Sequence, residues 1–347
     1  MHRHRLISVC LLAFGATGLP APSAAQESQN RVWCGPREAE YSADLVIGAC
    51  TALIQSGREN AKNLAISFAN RSAAFRRKGQ IDQAIEDATQ AIRLSPQYAS
   101  AFNNRGIALS EKGQIDRALE DYNQAVRFNP QSAIIFNNRG AAYQSKGQYD
   151  RAIEDYGQAI RLNPQYANAF FNRGTAYLMK GQVDYAIGDY NQAILIAPQR
   201  ANYFVNRGMA YSSNDQPDRA MEDFSQAIRL DPKNIKALNS RCWGRAVAGN
   251  ELQEALADCN AALQIAPNDV ATLDSRGFVH LRLGQFDQAI ADYNSAIALD
   301  AKQASSLYGR GHAKQKKGDA EGGAADIAAA KTIKADIADD YAKNGVK

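Results

Sequence analysis

The run Ala133-Ile-Ile-Phe-Asn-Asn-Arg-Gly-Ala-Ala-Tyr-Gln-Ser-Lys-Gly147, continued by Gln148-Tyr-Asp-Arg-Ala-Ile-Glu-Asp-Tyr-Gly-Gln-Ala-Ile-Arg-Leu-Asn-Pro164, decides how this chain folds. With Ala133 as position 1, apolar or small residues fall at positions 4, 8 and 11 and again at 20, 24 and 27. These are the three- and four-residue steps of a helix with one buried stripe. Gly147, at position 15, supplies the left-handed residue that ends a first helix. Pro164, at position 32, ends a second by withholding a backbone N–H. The segment therefore predicts a helical hairpin. Outward from it the pattern returns at Ala65, Ala99, Ala167, Ala201, Ile235, Val270 and Ala304, making eight copies. Pro96, Pro130, Pro164, Pro198, Pro232 and Pro267 are spaced 34, 34, 34, 34 and 35 residues apart. A fixed period of this length marks stacked repeats rather than one compact enzyme core.

The ends of the 347-residue chain read differently. Met1-His-Arg-His-Arg5, the largely apolar Leu6 to Leu19 and the small-residue exit Ala21-Pro-Ser-Ala-Ala25 form a secretory signal peptide, expected to be cleaved after Ala25. The apolar run is too short for a membrane span, and Val9 before Cys10 does not suit a lipid-attachment site. Loss of Arg3 and Arg5 lowers the formal net charge from +4 to +2. Such a balance, with 22% charged residues of mixed sign, offers no case for nucleic acid or an anionic membrane. A periplasmic or secreted location follows as the expectation. Four cysteines remain, Cys34, Cys50, Cys242 and Cys259, an even number that favours disulfides in an exported chain.

Two columns never vary. Position 7 is Arg71, Arg105, Arg139, Arg173, Arg207, Arg241, Arg276 and Arg310; position 23 is Asp87, Asp121, Asp155, Asp189, Asp223, Asp258, Asp292 and Asp326. Facing positions of an antiparallel hairpin have a nearly constant sum, and 7 with 23 fits beside 4 with 27, 8 with 24 and 11 with 20. An Arg–Asp pair inside each hairpin is the reading, the arginine fork matching a carboxylate; a ladder of ligand-binding arginines is the alternative. By the same geometry Cys242 (position 8) faces Cys259 (position 24), predicting a disulfide where other copies have Gly or Ser at position 8. Residues 41–57 read as a lone second helix capping the array, with Cys34–Cys50 pinning the preceding strap to it. Ile333, Ile337 and Tyr341 predict a final helix covering the last hairpin.

These residues resemble the tetratricopeptide repeat (TPR) family. An aromatic or Leu at 4, Gly at 8, Tyr or Leu at 11, Ala at 20, Tyr at 24, Ala at 27 and Pro at 32 carry the resemblance over residues 65–333; arginine at position 7, usually apolar in the family, departs from it. The resemblance implies an all-α, right-handed superhelical solenoid of eight helix-turn-helix repeats. The expected division is signal peptide 1–25, strap and N-terminal capping helix 26–64, repeats 65–333 and C-terminal capping helix 334–347. It also implies a binding groove on the concave wall of first helices, at positions 2, 5, 9, 12 and 13, beside position 6.

Position 6 is Asn70, Asn104, Asn138, Asn172 and Asn206, then Ser240, Ser275 and Gly309. An amide both donates and accepts, so this column suits a peptide backbone; a recurring hydrogen bond within the repeats is the alternative. The wall is polar in repeats one to three, with Arg76, Arg77, Asn103, Glu111, Asn137 and Gln144. It turns apolar from repeat four, with Phe171, Leu178, Met179, Val205, Met209, Trp243, Val247, Phe278 and Leu281. Such a patch reads as an interaction site, with Trp243 and Phe278 its anchors, or else as packing between first helices.

No phosphate loop, dinucleotide motif, zinc-protease motif or calcium loop occurs in the sequence. His280 at position 11 reads as a core residue and His312 at position 9 as exposed in the groove; neither makes a metal site. The expectation is a non-catalytic scaffold without cofactor or metal, holding a peptide or extended protein segment in the cell envelope. Two rival readings are a self-associating structural array and an envelope glycan-binding or secretion accessory protein stacking sugars on Trp243 and Phe278.

Overall fold

The computed structural model describes residues 24–35 and 38–345. Most of the expected signal peptide, with Cys10, therefore lies outside the described residues. The chain divides into two compact units, one up to Pro130 and one from Gln131 onward. The first holds α1 (Ala24–Trp33), a 3₁₀ turn (Glu38–Glu40), α2 (Ala43–Gln55) and the hairpins α3/α4 (Ala61–Arg77, Ile81–Leu94) and α5/α6 (Ala99–Glu111, Ile115–Phe128). The second holds α7/α8 (Ala133–Ser145, Tyr149–Leu162), α9/α10 (Ala167–Met179, Val183–Ile196), α11/α12 (Ala201–Ser213, Pro217–Leu230), α13/α14 (Ile235–Ala248, Leu252–Ile265), α15/α16 (Val270–Arg282, Phe286–Leu299) and α17/α18 (Ala304–Lys316, Ala320–Ile333), then α19 (Ile337–Lys343). Every described element is helical, and the eight hairpins are the eight sequence repeats.

Each hairpin turns where the glycine column predicts. Gly79, Gly113, Gly147, Gly181, Gly249, Gly284 and Gly318 have φ between +71° and +100°, and Asp215 takes the same region at +55°. The 35-residue spacing is accounted for at the α13/α14 turn: Arg241 and Asp258 are 17 apart where the other pairs are 16, and Glu251 adopts φ +52° to absorb the extra residue. The first helix of repeat one starts a turn earlier than Ala65, because Asn60 caps it by accepting from the Asn63 N–H at 2.9 Å.

The arginine column is structural. In all eight hairpins the Arg Nε and Nη2 donate to both oxygens of the partner Asp, at 2.6–2.9 Å. The carboxylates are 4–8% exposed. In six hairpins the remaining Nη1 reaches back to the second helix of the preceding element: Arg71 to Thr51, Arg105 to Thr89, Arg207 to Asn191, Arg241 to Ser225, Arg276 to Asn260 and Arg310 to Asn294. The guanidinium also lies 5.4–5.8 Å over the position-4 ring of Phe68, Phe102, Phe136, Phe170 or Phe204 in the first five. One side chain thus closes its own hairpin and registers it on the neighbour. That task uses all three nitrogens, which is why arginine rather than an apolar residue occupies the column.

Positions 8 and 24 interlock as small against large. A Cβ on Gly106, Gly140, Gly174, Gly208 or Gly277 would stand 2.7–2.9 Å from the ring of Tyr122, Tyr156, Tyr190, Phe224 or Tyr293. In repeat six the Cys242–Cys259 disulfide fills this slot, and Cys34–Cys50 ties α1 to α2. A cross-link closing a loop of this size restricts the unfolded chain by about 3 kcal/mol.

Candidate functional site

Within the second unit the first helices α9, α11, α13, α15 and α17 set positions 2, 5, 9, 12 and 13 side by side. They border a cleft of about 890 Å³ whose lining includes Leu178, Met209, Trp243, Asp274, Ile337 and Tyr341. Met209 is 45% exposed and Trp243 is half-buried. Met179, 61% exposed, lies with Asn172 in a separate hollow of about 350 Å³.

Other residues of the expected apolar wall are packing. Phe278 is fully buried and Leu281 is buried beside it. Phe278 stacks 5.0 Å from Trp243 and meets the Tyr341 ring edge-on at 5.7 Å, so it presents no face to a ligand. This corrects the expectation of an exposed Trp243–Phe278 pair, and with it the sugar-stacking platform. The cause is α19, which lies over position 9 of repeat seven. Phe171, also expected on the open wall, is partly buried with its ring 4.9 Å from Tyr203 of the next repeat. Val205 is buried as well.

Two asparagines of the column bond to the preceding repeat and one to the strap, while Asn138 accepts from Asn137 of its own repeat at 3.5 Å. Asn70 donates to the carbonyls of Cys34 and Gly35, Asn104 to Ala69 O at 2.9 Å and Asn172 to Asn137 Oδ1 at 2.9 Å. Asn138 is also engaged, and Asn206 lies partly exposed on α11. The amides of Asn104 and Asn172 already serve as spacers between first helices.

Asp274 escaped sequence reading, the wall contacts of Tyr341 go beyond the predicted covering helix, and His312 departs from its expected exposure. Asp274, at position 5 of repeat seven, is 9% exposed on the cleft and accepts a hydrogen bond from Ser306 at 2.5 Å. Burial raises its carboxyl above the usual range, though Ser306 and Ser305 pull the other way. The signal was a lone carboxylate in a wall column. Tyr341, buried at 3% exposure, is the only aromatic beyond the last repeat. Burial lifts the Tyr293 and Tyr341 phenols well above their ordinary value. His312, expected to be open in the groove, is half-buried, 4.7 Å from Tyr308 and parallel to Tyr341 at 6.3 Å. Burial and Lys316 lower its pKa. His280 is held instead by Gln285, 2.6 Å from Nδ1, and Asp292, 3.7 Å from Nε2. Among the described residues no group of His, Cys, Asp and Glu is disposed to hold a metal ion, and no helix is long and apolar enough to cross a membrane.

A family model described as "TPR repeat" matches residues 73–113, 108–147, 145–181 and 277–318, and one described as "Tetratricopeptide repeat" matches 201–234. No curated protein matches the chain. Among solved structures, the APC/C hetero-tetramer Cut9–Hcn1 is similar with TM-score 0.60 at 16% identity, over 88% of this chain and 60% of that one. A tetratricopeptide repeat protein from Parabacteroides merdae aligns with TM-score 0.55 at 19% identity, over 72% and 98%. Pseudomonas aeruginosa pilF aligns with TM-score 0.56 at 14% identity, over 61% and 96%. At these identities the likeness shows the fold.

Proposed function

We propose, for a chain that belongs to the tetratricopeptide repeat family, a role as a non-catalytic scaffold that holds a peptide or extended segment of a protein partner on the first-helix wall of repeats four to six. The observation that carries this reading is the cleft bordered by Leu178, Met209 and Trp243. Hairpin packing leaves Met209 exposed and Trp243 only partly covered. Methionine adapts to varied apolar surfaces, and a partly exposed tryptophan lining such a cleft is the usual kind of energetic anchor. The eight position-23 carboxylates are each engaged by the arginine of their own hairpin, which accounts for them structurally. Work in the cell envelope is supported by the two disulfides, which persist outside the reducing cytosol.

The test compares proteins retained from an envelope extract by the wild-type chain and by a Met209→Glu/Trp243→Ala variant with unchanged helical circular dichroism. A partner held by the first and lost by the second is the expected result. Equal retention removes the cleft as the binding site.

A further inference from the structure

The last helix reaches residues of two first helices, Phe278 and Arg282 on α15 and Ser305 and Tyr308 on α17. Lys334-Ala335-Asp336 reverse the chain, and α19 crosses back over the first helices of repeats seven and eight. Tyr341 Oη donates to the Ser305 carbonyl at 2.8 Å, its ring meets Phe278 and Tyr308, and the Asn344 carbonyl accepts from Arg282 at 2.8 Å. Ser305 and Tyr308 are positions 2 and 5 of repeat eight; Phe278 and Arg282 are positions 9 and 13 of repeat seven. Every one of these anchors is a wall position.

The position-6 column changes toward the end of the array. Position 6, asparagine in repeats one to five, shrinks to Ser240, Ser275 and Gly309. A Cβ at Gly309 would stand 2.4 Å from Tyr293 Cζ and Oη and 2.6 Å from Tyr341 Oη, so glycine at this position leaves room for the phenols of both Tyr293 and Tyr341.

We infer that α19 is a built-in occupant of the partner groove, seated where a short amphipathic helix of the partner docks, and that the partner displaces it. This rests on the scaffold reading above. The chemistry of the displacing helix is read from α19 itself. It carries an aliphatic residue and an aromatic hydroxyl one turn apart, as Ile337 and Tyr341 are, with a C-terminal carbonyl free to meet Arg282. Only those two side chains of α19 are buried. The cleft runs on beside it to Trp243 and Met209, so a partner helix that also fills the cleft covers more wall than α19 does. The three-residue link to α18 holds α19 at high local concentration, which sets a threshold for entry.

A labelled synthetic peptide of residues 335–347, followed by fluorescence anisotropy, tests the seat in the full chain. The Ile337→Ala/Tyr341→Ala variant, its own tail weakened, is expected to bind the peptide roughly tenfold more tightly than wild type, and Arg282→Ala added to it to lose that gain. A folded double variant that binds no better than wild type overturns the inference. Should the double variant unfold, Tyr341→Phe, which removes only the bond to Ser305, is expected to show a smaller gain; none overturns it equally. Wild-type mass that doubles with concentration, and does so no longer in the double variant, would assign the seat to a second copy's tail and overturn the partner helix. No partner is present in the titration, so failure here counts against α19 as an occupant and leaves the extract experiment to judge the scaffold.

Discussion

Met209 and Phe278 hold the same position, the ninth of their repeats, on first helices of the same unit. One is 45% exposed and the other is not exposed at all. The hairpins beneath them are built alike. Arg207 grips Asp223 and Arg276 grips Asp292 at 2.6–2.8 Å, and each arginine reaches back to an asparagine, Asn191 or Asn260. Gly208 receives the Phe224 ring as Gly277 receives that of Tyr293. What differs is the layer above: an open cleft at Met209, and Tyr341 against Phe278. The repeat therefore determines which side chains face the wall, while at position 9 a segment outside the repeat helps determine which of them stay accessible.

If the two hairpins share one framework, Arg207→Ala and Arg276→Ala should each cost about 3 kcal/mol or more, since each strands a buried carboxylate. Urea unfolding monitored by circular dichroism checks this, and losses that differ severalfold between the two would break the comparison at its base. Next in size, Tyr341→Ala should cost about 3 kcal/mol as a buried aromatic is lost, with the amides of residues 337–343 exchanging fastest. Met209→Ala, on the open wall, should stay within about 0.5 kcal/mol. Equal effects at Tyr341 and Met209 would mean that α19 does not cover its wall in solution. The smallest effect concerns His312 beneath α19. Burial and Lys316 hold its folded-state pKa below the ordinary value of 6.5. The unfolded chain therefore binds the proton more readily, and stability falls as pH drops below that ordinary value toward the depressed one. Thermal midpoints measured from neutral to mildly acidic pH should show a shallower decline in His312→Gln than in wild type.

The hairpins, their turns, the Arg–Asp pairs and the Cys242–Cys259 slot were legible because each repeats or departs from a repeat at a known register. Comparison among eight copies shows which positions face one another without any tertiary information. The strap disulfide was legible for a related reason, since residues 41–57 keep the register of a second helix. The helix α1 within the strap and the burial of Phe278 were not legible. The polar run of α1 has no second copy to set its pattern. Phe278 sits in a column where Trp243 and Met209 remain partly or largely accessible, and nothing within its own repeat distinguishes it.

By itself the sequence determined an all-helical array of eight hairpins, with an arginine clip in each and two disulfides, because these rest on contacts at constant sequence separation. Only the tertiary structure decided which part of the wall is open. It directed Asn104 and Asn172 to the preceding repeats, paired Trp243 with Phe278 and set α19 against Ser305, Phe278 and Arg282. The contacts of α19 join a segment outside the repeats to residues as far as 63 positions away, as Tyr341 is from Phe278, and no local period encodes such a meeting.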